Sequence, residues 1–87
     1  SRENRKVVRC IADMSLAQLD AVAQASYETM LRLDNDGKAL SQEYFVASTL
    51  YILTSAEYHR KSTDEMMRRY NEVSDAFGLD AADTLVK

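Results

Sequence analysis

Asp34, Asn35, Asp36, Gly37 and Glu43 are the residues whose types and spacing first suggest chemistry. In an EF-hand loop, carboxylates at positions 1, 3, 5 and 12 surround a calcium ion, and a glycine at position 6 makes the turn. Setting Gly37 at position 6 puts Asp34, Asp36 and Glu43 at positions 3, 5 and 12, but position 1 is then Arg32 and position 8 is Ala39. A guanidinium where the first ligand belongs repels a dication, so the segment is expected to be a helix-ending turn that holds no metal. His59 is the single histidine, with no Cys pair and no His-Glu helix motif around it, so neither a zinc signature nor a triad can be assembled. It is expected to be a packed or solvent-edge side chain. Cys10 lies between Arg9 and Ile11, where a neighbouring cation favours a thiolate. A lone cysteine is more often a small buried hydrophobe, and that is the expectation for it. With no Gly-rich phosphate loop and no activated nucleophile, no catalytic residue and no cofactor is expected, and the chain is read as a non-enzyme.

Tyr44, Tyr51 and Tyr58 recur every seven residues, as do Phe45, Ile52 and His59. Aromatic rings so spaced can stack nucleic-acid bases or line a ligand pocket, but more often they build a core or an interface. Val46, Leu50 and Leu53 fill the remaining directions, with mostly small residues between. A helix apolar on nearly every side must be covered on nearly every side. A chain of 87 residues offers few other elements to do so, and self-association is the simplest remedy. The expected dimer or partner interface uses Phe45, Leu50, Tyr51, Ile52, Leu53 and Tyr58.

The elements that carry these residues are punctuated clearly. Ser15 and Gln18 form a capping box, flanked by Met14 and Leu19. Leu16, Leu19, Ala23, Tyr27 and Met30 then recur at helical spacing, with Val22 and Leu33 widening the stripe, so a helix is expected over about 16–33. Asp34 to Gly37 ends it. Ser41 is the expected N-cap of the next helix, with Leu40 stapled onto Phe45. No Gly or Pro interrupts 42–77, yet Ser62 and Glu65 form a second potential capping box, and a break or kink is expected there. Gly78 is placed to cap the end, with Leu79 folding back towards Val73. Val7, Val8 and Ile11 have helical spacing amid basic residues, as a short helix or a flexible arm.

The fold class that follows is all-α: a helical hairpin plus a third, C-terminal helix, intertwined or packed as a homodimer. One domain is expected, with a basic arm at 1–12, a helical core at 13–79 and an acidic tail at 80–87. A single cysteine excludes an internal disulfide, and no apolar run approaches the ~20 residues that span a bilayer. A cytoplasmic protein with no membrane partner is therefore expected.

Net charge is −3, unevenly spread. Residues 1–12 carry Arg2, Arg5, Lys6 and Arg9 against Glu3 alone, and 13–57 are strongly acidic. Arg60, Lys61, Arg68 and Arg69 make a second basic patch, expected to steer an acidic partner. Nucleic-acid binders usually show a domain-wide basic excess, so a protein partner of unspecified identity is favoured. A small nucleic-acid-binding regulator using the 1–12 arm is the alternative. The run Tyr51-Ile52-x-x-Ser55-x-Glu57-x-His59 resembles the C-terminal helix of the TraM quorum-sensing antiactivators, with five identities in nine residues. The helix-to-helix spacing differs, and the flanks do not align. That likeness implies only that small helical dimers can act by sequestering another protein.

Overall fold

In the computed structural model, which describes residues 2–87, four α-helices and a closing 3-10 turn follow one another, with no strand among the described residues. They are α1 (Arg2–Ala12), α2 (Leu16–Asn35), α3 (Gln42–Phe77), α4 (Leu79–Asp83) and the 3-10 turn Thr84–Val86. The all-α expectation holds. No described helix is long and apolar enough to cross a membrane.

Local chemistry sets most boundaries. The Ser15 hydroxyl accepts from the Gln18 N–H at 3.1 Å, and the Gln18 side-chain carbonyl accepts from the Ser15 N–H at 2.9 Å, closing the capping box. At the far end of α2, Gly37 takes φ +73°, which lets the Lys38 N–H reach back to the Leu33 carbonyl at 2.7 Å. Ser41 caps α3 by accepting from the Tyr44 N–H. The staple expected between Leu40 and Phe45 is not made: Leu40 is fully exposed.

No break occurs at Ser62. Its hydroxyl donates to the carbonyls of Tyr58 and His59 inside an unbroken helix, instead of accepting at an N-terminus. Arg60 meets Asp64 at 3.0 Å across the expected break, and Arg69 meets Glu65 at 3.0 Å, so local ion pairs reward continuity. The third helix of the expected bundle is thus the second half of α3. At its end Gly78 caps the helix as expected, its N–H donating to the Ser74 carbonyl, with φ +93° and ψ 169°, a mirror-extended conformation open to glycine.

α2 and α3 form an antiparallel hairpin. Leu19, Ser26 and Leu33, seven apart, are its buried line on α2, and Ala47 and Thr54, also seven apart, are the buried residues on α3. Small residues at mid-contact allow the axes close together. The buried Thr54 hydroxyl donates to the Leu50 carbonyl at 2.7 Å, so it has its partner. α1 lies on α3 through Ile11. α4 folds back on α3, with Ala82 buried and the Tyr70 hydroxyl donating to Asp83 at 2.8 Å.

Candidate functional site

The candidate surface begins with what α3 buries and what it leaves open. Its Ala47–Thr54 side meets α2, and its Leu53 side meets α1. Tyr51 stacks obliquely on Tyr27 of α2, with ring centroids 5.5 Å apart. Tyr51 and Tyr58 are half-buried with Tyr27, Asp20 and Glu28 around a furrow of about 420 Å³ between α2 and α3. Ser55 and His59 of α3 also line the furrow. No buried side-chain polar atom among the described residues lacks a hydrogen bond, and no described cluster of three His, Cys, Asp or Glu side chains is arranged to hold a metal.

The six expected interface residues therefore separate. Tyr51 and Tyr58 pack within the chain against α2. Leu50 and Leu53 are half-buried along a groove that Val7 and Val8 of α1 share. Phe45, which also borders that groove, and Ile52 are the two mostly exposed members, at 68% and 63%. With them on α3, Thr49, Ala56, His59, Thr63 and Met66 alternate at steps of four and three; Thr49 is half-buried at the α1 groove and His59 stands at the rim of the α2–α3 furrow. The sequence shows this repeat, but only the positions of α1 and α2 reveal which of the several apolar sets stays uncovered. His59 sits at the solvent edge as expected, its ring edge-on to Tyr58.

The four cations of the second basic patch are all engaged. Arg60 bonds Glu57 at 2.5 Å and Asp64 at 3.0 Å, Arg68 bonds Glu72 at 2.8 Å, and Arg69 bonds Glu65. The guanidinium hydrogen bond holds the Glu57 carboxyl below its ordinary pKa, and the same bond raises that of Arg60. Lys61 has a role invisible from sequence. Its ammonium donates to the carbonyls of Ala12 and Met14, at 2.6 and 2.5 Å, and so caps the C-terminus of α1.

By contrast, Arg2, Arg5, Lys6 and Arg9 line one side of α1, and none of the four meets a carboxylate among the described residues. Val7, Val8 and Ile11 occupy the opposite side of that helix, which turns towards α3. Cys10 is exposed, against the expectation of burial, because it falls beside the cationic side of α1 and away from Ile11.

The Asp34–Glu43 segment is a turn followed by a helix start: Asp34 and Asn35 still belong to α2, and Glu43 already belongs to α3. Compared with known protein families, curated proteins and solved structures, the chain gives no significant match, so the nine-residue likeness to the antiactivators stays a local one.

Proposed function

We propose that this chain is a non-enzymatic accessory or regulatory factor of the cytoplasm that works as a helical homodimer and docks on another protein. The observation that carries this is surface area. A folded monomer of 9.9 kDa should expose roughly 5,200 Å² by the usual scaling of surface with mass, and this chain exposes 6758 Å². Its radius of gyration is 17.6 Å, against about 12 Å for a compact chain of this length.

The interior is correspondingly thin. Ile11, Leu19 and Leu33 are its only sizeable buried apolar side chains among the described residues, while Phe45, Ile52, Met66 and Phe77 face outward. A chain of this size with so few anchors gains stability from association. If two chains each hid the surplus, roughly 3,000 Å² would disappear in total, which is within the range of obligate homodimers. An exposed, unpaired Cys10 suits a reducing compartment.

Sedimentation at micromolar concentration should return a species of twice the 9.9 kDa chain mass. Affinity capture from the native host, followed by reconstitution with the purified partner at fixed stoichiometry, tests the docking role. A compact single-chain species at every concentration would remove the dimer from this reading. The unpaired cations of α1 favour nucleic-acid binding as the second reading. A gel shift at low salt that weakens steeply as salt rises would promote it.

A further inference from the structure

The outer face of α3 has the repeat of a coiled-coil seam. Phe45, Ile52, His59 and Met66 recur every seven residues, and Thr49, Ala56 and Thr63 fall between them in the alternating rhythm of four and three. None of these carries a carboxylate, an ammonium or a guanidinium, although charged side chains crowd the flanks of the same helix. The face begins at Phe45, beside the start of α3. It ends near Met67, because α4 covers α3 from Tyr70 onward through Ala82 and the Tyr70–Asp83 hydrogen bond. Its midpoint is Ala56, which has the smallest side chain on the face.

Charge is divided between the two halves. From Gln42 to Glu57, α3 carries Glu43 and Glu57 and no cation. From Tyr58 to Arg69 it carries Arg60, Lys61, Arg68 and Arg69 against Asp64 and Glu65; the three arginines also meet carboxylates of their own helix, so only the net cationic excess of this half is left for a partner. A parallel pair would set like halves together. An antiparallel pair sets the acidic half of each helix on the basic half of the other and also opposes the helix dipoles.

We propose that a second copy of this chain packs its α3 antiparallel onto this face, with Ala56 at the two-fold axis. Phe45 of each chain then lies against Met66 of its mate, Thr49 faces Thr63, and Ile52 sits beside His59. Ala56 permits the close approach of the axes that knobs-into-holes packing needs. The two-fold axis makes the contact isologous, so it closes at two chains and leaves no open end for further growth. This arrangement rests on the self-association reading above and specifies the surface that mediates it.

Cysteine cross-linking decides it, in a Cys10→Ser background that removes the native thiol. In this geometry Ala56→Cys brings two Cα atoms within disulfide reach, about 4.4–6.8 Å. Phe45→Cys leaves its two copies 22 residues of helix rise apart, roughly 33 Å. Mild oxidation should convert most of the Ala56→Cys protein to a covalent dimer and leave Phe45→Cys monomeric on a non-reducing gel. Ile52→Asp should weaken dimerisation by at least 100-fold in sedimentation, with helical circular dichroism retained. Cross-linking of Phe45→Cys as efficiently as Ala56→Cys would overturn the antiparallel arrangement. A wild-type dimer that neither cross-links at Ala56 nor responds to Ile52→Asp would move the seam elsewhere while leaving self-association intact. A monomeric wild type would remove both.

Discussion

Replacing Lys61 with Met tests how α1 is held. The lysine ammonium donates two short hydrogen bonds, to the carbonyls of Ala12 and Met14, and both acceptors lie at the end of α1 or in the link that follows it. Hydrogen bonds from a charged donor contribute about 1.5–3 kcal/mol each when shielded from water. One of these two is exposed, so the pair is worth about 2 kcal/mol together, including the favourable interaction with the α1 dipole. Methionine keeps the apolar stem and removes only the donor. Ile11 is the one buried residue of α1, so little else resists its release. At 1.4 kcal/mol per factor of ten, amide protection across α1 should fall by roughly 30-fold. Protection of amides in α2 and in the middle of α3 should change by less than threefold. Native-state hydrogen exchange read by NMR, residue by residue, separates these outcomes. Unchanged protection in α1 would show that the two bonds contribute nothing and that Ile11 alone anchors the helix. An equal loss in all three helices would show that α1 does not open as a separate unit.

Two further outcomes follow from the packing. Leu33 is almost wholly buried, so Leu33→Ala should cost about 2–5 kcal/mol in urea unfolding at fixed protein concentration, while the half-exposed Leu31→Ala stays within about 0.5 kcal/mol; equal effects would mean that the core is placed wrongly. The hydrogen bond to Asp83 raises the Tyr70 pKa above the ordinary phenol value, so the stability it lends to α4 is complete below pH ~10 and is lost as pH rises through the raised value. In a spectroscopic alkaline titration, Tyr70→Phe should remove an ionisation lying above the ordinary phenol value. A high-pH titration limb identical in wild type and Tyr70→Phe would remove the contact.

The parts of this structure that were legible in the sequence are those decided within a few residues. Ser15 and Gln18 announce the start of α2 because both bonds of the box are local, and Gly37 announces its end because a positive φ is cheap only there. The Ser62 signal misled for an instructive reason. A serine can accept at a helix start or donate to the carbonyls of its own preceding turn, and the flanking Arg60–Asp64 pair favours the second. In the sequence Lys61 stands simply as one cation of a basic patch, because its partners lie 47 and 49 positions away, beyond any periodicity. The outer face of α3 was half legible. Seven-residue repeats were evident, but Tyr51 and Ile52 belong to equally regular sets, and only the placement of α2 decides that the tyrosine turns inward and the isoleucine outward.

The two arms of the hairpin are unequal, and the mismatch makes a lever. Lys61 reaches Met14, which marks where α2 begins alongside α3, so residues 62–77 project past the end of the shorter arm with α4 strapped to them. That overhang is about 24 Å long at 1.5 Å per residue. A tilt of ten degrees about its root would swing Phe77 through about 4 Å, the width of a methyl group. Whatever grips the tip of this boom can therefore feel a small pivot at its base.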